Sequence, residues 1–377
     1  MRKIVLFLSI TTCISFTSMA QDAKALYDEG LKLKGEGKSS QATEKFRQAT
    51  QLKPGYAAAY YEMGWCLNDQ NDHTSAIEAL RKAMPEMSNT YKANFEMGYA
   101  FEMTEQYDSA LYYYNECLSI TKENAGVYRQ LGYIAYMKDD YSKALEYFAT
   151  FEKLAKESSK DYKYWYRKGF MQNASKDYSG AKESLNKSLE FKTTYVNTYL
   201  ELGFACNKLK LGDDAITWFQ KAISMNPKSH IGYNGIGETY RDVKKDMDMS
   251  ITWYKKALEV KPNERKACFG IGYCLNSKEK YSEAIDYLET AIQQEATYTA
   301  AYVELGYAYY KTGRYSDAIT KFTKALSLNP QNENARYYMG LVYIKQKDKP
   351  NAQRMVNELK SMNSKNAASL ESLVNNM

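Results

Sequence analysis

Histidine is nearly missing from this sequence: His73 and His230 are the only two in 377 residues. They lie far apart, and no HExxH pairing exists, which excludes zinc-protease chemistry. Proline is scarce as well, with 6 residues against 36 tyrosines. Helices tolerate such a composition, since an interior proline costs about 3 kcal/mol. No run of five or six basic residues occurs. The net charge of +6 is spread among charged residues that make up 25% of the chain, with both signs mixed. Nucleic-acid binding, which needs clustered positive charge, is therefore not expected. Nor do the six cysteines show a CxxC pair or a zinc-like spacing. No Ser or Cys carries a nucleophile signature, and no carboxylate pair stands in an apolar setting suited to acid–base work. The composition predicts no cofactor, no metal and no enzyme.

Long apolar runs are absent too, apart from the N-terminus. Arg2 and Lys3 precede an uncharged apolar stretch over residues 4–16, and Ser18-Met19-Ala20 follows. This is the pattern of a signal peptide over residues 1–20, with cleavage before Gln21. Cys13 is the alternative point of processing, as a lipid attachment site. Thr12 before it and the apolar sequence after it count against that. Removal of the leader leaves five cysteines in an oxidising compartment. An odd number cannot pair completely, and most occupy positions that favour small or apolar side chains. They read as buried thiols.

What the chain does contain is repetition. Leu305 opens LGYAYYKTGRYSDAITKFTKALSLNP, and Leu202 opens LGFACNKLKLGDDAITWFQKAISMNP. The frame is marked by Gly30, Gly64, Gly98, Gly132, Gly169, Gly203, Gly237, Gly272, Gly306 and Gly340, at spacings of 34, 34, 34, 37, 34, 34, 35, 34 and 34. A small residue follows each glycine at a fixed distance, as at Ala42, Ala76, Ala215 and Ala318, with Ser250 as the exception after a one-residue insertion. A second alanine recurs further on, at Ala49, Ala83, Ala222, Ala257, Ala291 and Ala325. Cys117 and Ser188 replace it in two units. Pro54, Pro227, Pro262 and Pro330 close several units, because proline cannot continue a helix. Small residues let two antiparallel helices approach, while Tyr302, Leu305 and Tyr309 show large residues at helical spacing. Asp108, Ser142, Ser179, Ser282 and Ser316 are expected N-caps between the paired helices.

These features resemble the tetratricopeptide repeat family over about residues 23–366. The resemblance implies an all-α fold, a right-handed alpha-alpha superhelix of about ten helix-turn-helix repeats whose first helices line a concave face. The expected organisation is a leader over 1–20, four repeats over 21–161, six over 162–366, and a covering tail over 367–377. That tail puts Leu370, Leu373 and Val374 on one helical side. The three-residue insertion near residues 157–160 is the expected hinge or change in curvature. Gly35-Glu36-Gly37-Lys38-Ser39 has a phosphate-loop look, but Lys32 stands where its first glycine belongs. Gly232, Gly235 and Gly237 run along a first helix, and His73 replaces a tyrosine common to the other turns.

The resemblance further implies that ligands meet fixed positions on each first helix. Here the central ones are mostly aromatic: Tyr61 and Trp65, Phe95 and Tyr99, Tyr166 and Phe170, Phe269 and Tyr273. Tyr133, Tyr136, Phe204, Tyr307, Tyr310 and Tyr337 continue the stripe. Asn68, Asn173, Asn207 and Asn276 recur at the outer position. Rings provide large contact area at low entropy cost, and asparagine can bond an extended backbone. The same rings can also pack between neighbouring helices without any ligand. The clamp that some family members use for chaperone C-termini needs Lys and Asn where this chain has rings, so such a partner is not expected. The expectation is a scaffold for a protein or peptide partner, in the periplasm or cell envelope. Glycan binding by the same rings is the alternative.

Overall fold

The computed structural model describes residues 2–155 and 160–377, and the side chains from residue 19 onward within them. The expected hinge at residues 157–159 lies outside the described residues. Every described element is helical, and the chain divides into two compact units, Met1–Ser159 and Lys160–Met377.

The first unit runs α1 (Arg2–Gly35), α2 (Ser39–Leu52), α3 (Ala57–Asp69), α4 (His73–Ala83), α5 (Tyr91–Met103), α6 (Tyr107–Ile120), α7 (Ala125–Met137) and α8 (Tyr141–Leu154). A short 3-10 turn, Met84–Glu86, links α4 to α5. The second unit runs α9 (Tyr162–Ala174), α10 (Tyr178–Phe191), α11 (Val196–Lys208), α12 (Gly212–Met225), α13 (His230–Thr239), α14 (Met247–Val260), α15 (Arg265–Ser277), α16 (Tyr281–Gln294), α17 (Thr299–Lys311), α18 (Tyr315–Leu328), α19 (Glu333–Lys345), α20 (Lys349–Ser361) and α21 (Asn366–Asn375). Each helix packs mainly on its neighbours in the chain, the superhelical all-α repeat that the sequence pattern predicts.

The marker glycines are seats. A Cβ on Gly98 would lie 2.7 Å from the Tyr114 ring, and one on Gly132 would lie 2.2 Å from Phe148 Cε1. Phe46, Leu80, Leu185, Phe219, Leu288 and Phe322 fill the same seat on Gly30, Gly64, Gly169, Gly203, Gly272 and Gly306. Gly235 and Gly237 are likewise packing positions, against Phe219 and Tyr254. The alanines are fully buried between helices. At two positions where the second alanine is replaced, the substitute bonds the start of its own repeat. Ser188 Oγ donates to the Tyr162 carbonyl at 2.9 Å, and Cys117 Sγ to that of Tyr91 at 3.4 Å.

The N-caps require a correction. Asp108, Ser142, Ser179, Ser282 and Ser316 are second residues of their helices, not caps. Capping by side chain falls two positions earlier, on Asp72, Asp140, Asp177, Asp246 and Asp348, which accept from the backbone N–H three residues on. The reason lies in the turn, where a residue of left-handed φ such as Asp139 or Lys176 directly precedes the cap.

The extra residue of the seventh repeat is absorbed as a π-helical turn, Tyr240–Lys244, which prolongs α13. At the C-terminus, Leu370 covers Gly340 and is fully buried with Val374. Leu373, expected on the same side, is 42% exposed. In the first repeat, one helix carries both the expected leader and the first repeat helix. No described helix is long and apolar enough to cross a membrane.

Candidate functional site

First helices of successive repeats touch one another. α1 meets α3 and α3 meets α5 in the first unit, and the series α9, α11, α13, α15, α17, α19 does so in the second. The aromatic stripe lies on these helices. All fourteen rings assigned to it from the sequence are half-buried: Tyr61, Trp65, Phe95, Tyr99, Tyr133, Tyr136, Tyr166, Phe170, Phe204, Phe269, Tyr273, Tyr307, Tyr310 and Tyr337. Each thus keeps part of its surface in solvent while packing on a neighbour. Phe95 stands edge-on to Tyr114 at 5.7 Å, Tyr133 edge-on to Phe148 at 5.5 Å, and Tyr307 lies 4.8 Å from Tyr338.

The four asparagines behave differently from the rings. Asn68, Asn173, Asn207 and Asn276 are buried, and the Nδ2 group of each is bonded inside the protein. Asn68 Nδ2 donates to Glu96 Oε2 at 2.9 Å, Asn173 Nδ2 to Glu201 Oε2 at 2.8 Å, and Asn276 Nδ2 to Glu304 Oε2 at 2.9 Å. Each also donates to the carbonyl of the same glutamate. Asn207 donates to Thr239 Oγ1 at 2.7 Å. These bonds join one first helix to the next. Where the residue types change, the link persists: Lys34 Nζ reaches Glu62 at 2.6 Å, and Gln130 Nε2 reaches Glu102 at 3.1 Å. Burial pushes the carboxyls of Glu96, Glu201 and Glu304 above the usual glutamate value, against the pull of the asparagine amides.

Sequence reasoning missed these glutamates. Their signal was present, since Glu62, Glu96, Glu201 and Glu304 each stand two residues before a marker glycine. It also missed the seventh repeat, where Asn234, Glu238 and Arg241 replace the rings and line a pocket of about 160 Å3 with Lys266, Phe269 and Tyr298. Arg241 lies on the π turn and makes a two-pronged pair with Asp242 at 2.7 and 2.9 Å.

The first unit holds a pocket of about 290 Å3 between α3 and α5. Three stripe rings line it (Trp65, Phe95 and Tyr99) together with the Asp69 and Glu96 carboxylates and the Asn68 and Asn71 amides. His73 stands edge-on to the lining residue Tyr99 at 5.7 Å, with Nδ1 3.2 Å from Asn68 Oδ1. Burial holds its imidazole below the usual value. Among the described residues no group of three or more His, Cys, Asp or Glu is placed to hold a metal ion. The five described cysteines are buried and unpaired.

Models of the tetratricopeptide repeat match residues 27–89, 196–229, 232–264, 275–320 and 306–347. No curated protein matches the chain. Among solved structures, yeast Tom70 is similar over 94% of this chain and 96% of its own, at 14% identity and a TM-score of 0.50. PilW, a type IV pilus biogenesis factor, is similar over 55% of this chain and 97% of its own, at 19% identity and a TM-score of 0.51. Pseudomonas aeruginosa PilF is similar over 56% and 96%, at 15% identity and a TM-score of 0.50. Identities this low speak to the fold. With family models matching in both units and the seats and helix pairs described above, the chain is a tetratricopeptide-repeat protein.

Proposed function

We propose that the chain is a non-catalytic scaffold that holds protein or peptide segments against the aromatic surface of its first helices. One observation carries the reading. The interior is filled by the alanines and by the large residues seated on glycine, yet the stripe rings recur in both units with part of each ring left in solvent. Half-exposed rings held in place by neighbours supply contact area at little entropic cost, as interface anchors do. The contacts between successive first helices support reading their shared face as the inner one. The N-terminal pattern supports export, and the proposed setting is the periplasm or cell envelope.

The test is capture of partners from the native envelope by cross-linking and mass spectrometry, comparing wild type with Tyr99→Ala, Tyr133→Ala and Tyr307→Ala. Partner recovery should fall in the variants while circular dichroism stays helical. Equal loss of helix would reduce the rings to packing elements. Peptide and glycan arrays run on the same protein separate a peptide groove from a sugar-binding one, and N-terminal sequencing of the mature chain tests cleavage before Gln21.

A further inference from the structure

We propose that the pocket between α3 and α5 captures a basic side chain, lysine or arginine, of the bound partner segment. The proposal rests on the scaffold reading and names the chemistry of one of its subsites. Trp65, Phe95 and Tyr99 present aromatic surface, and Asp69 and Glu96 supply two carboxylates, with no basic residue among the lining. A cation over an aromatic face is attracted by the ring quadrupole, and a carboxylate at the same site adds a charge-assisted hydrogen bond. The two together select a basic group over an apolar or acidic one.

The immediate surroundings support this charge assignment. Burial raises the Glu96 carboxyl against the pull of the neutral Asn68 amide and of the Lys34 charge, and an incoming cation adds to that pull. Burial lowers the affinity of the His73 imidazole, beside Tyr99, for a proton. Asp69 accepts from the Ser39 hydroxyl at 2.5 Å. The Lys34 ammonium pairs with Glu62 and stands 3.7 Å from the Trp65 ring centroid. The protein thus already uses this ring to hold an ammonium of its own. The pocket in the second unit is of another kind, because Lys266 and Arg241 accompany its single carboxylate, Glu238.

The experiment uses the whole chain and four fluorescein-labelled peptides of one Gly-Ser-Tyr background, differing only in a central arginine, lysine, norleucine or glutamate. Fluorescence anisotropy should show the arginine and lysine peptides binding about tenfold more tightly than norleucine, and glutamate most weakly. Glu96→Gln and Asp69→Asn keep an acceptor for Asn68 and Ser39. They should bring the basic peptides down to the norleucine level while the circular dichroism spectrum stays helical. Equal affinity for arginine and norleucine peptides, or a preference that survives both substitutions, overturns the basic-residue assignment and leaves the scaffold standing. Competition by putrescine at the peptide's own affinity would overturn it in favour of a free amine. No binding of any peptide overturns the basic-residue assignment, while the scaffold reading stands or falls by the envelope capture.

Discussion

Glu105, Asp139, Lys176 and Lys210 hold φ between 58° and 66° in the turns joining paired helices, where Gly37 and Gly313 do the same without a side chain. An L-residue in the left-handed region costs about 1–2 kcal/mol, and glycine returns part of that as backbone entropy. Glu105→Gly and Lys176→Gly should therefore each stabilise the chain by about 0.5–1 kcal/mol, read as a rise in urea midpoint at constant m-value. The glutamates linking first helices give a second expectation. A carboxyl raised in the folded state binds more protons there than in the unfolded chain, so its contribution to stability is present on the acid side and is lost as pH rises through the folded value. A triple Glu96→Gln, Glu201→Gln, Glu304→Gln variant should be more stable than wild type at pH 8, with the gap closing toward pH 4.5. Thermal melts across that range decide it, and a pH-independent gap would remove the linkage. The partner of Asn68 belongs to this scale. Helical periodicity shows which side of α3 Asn68 occupies, but not that Glu96 on the next helix stands ready to accept its amide.

The seat on glycine is the working contact between helices. Gly132→Ala would force a methyl group against Phe148 and should cost about 1–3 kcal/mol by overpacking. Gly35→Ala, with nothing within 4 Å of its added Cβ, should be near neutral. Chemical denaturation of the two variants makes the comparison, and similar losses would mean that glycine matters for backbone reasons alone. Element positions were legible in the sequence because these seats repeat at one spacing. The π turn was legible only as a count. An inserted residue announces that something must give, but whether a loop lengthens or a helix bulges depends on which backbone groups find partners. Here the Asp246 N–H reaches back to the Tyr240 carbonyl at 3.0 Å, and the bulge places Arg241 beside the pocket of the second unit. The α21 cap was legible in part. Leu370 and Val374 follow the helical period into the interface, whereas Leu373 projects away from it.

At the scale of the molecule, a repeat array distributes stability among neighbours, so its parts need not open together. The cysteines report on this without any added probe. Burial lifts Cys66 to about 11, Cys117 to about 12 and Cys268 to about 11, and raises Cys206 and Cys274 as well. A buried thiol that also resists ionisation does not react until its surroundings open. In native buffer none of the five should react with an aromatic disulfide reagent at pH 8. In sub-denaturing urea they should react in an order set by position in their unit. Cys66 lies one repeat from the N-terminal end of the first unit, while Cys268 and Cys274 sit in the eighth repeat, with further repeats on both sides within the second. Cys66 should therefore label before that pair, and mass spectrometry of quenched samples reads the order site by site. If all five label at one rate throughout the urea series, the two units and their repeats open as a single cooperative body, and the picture of stability shared between neighbours fails for this chain.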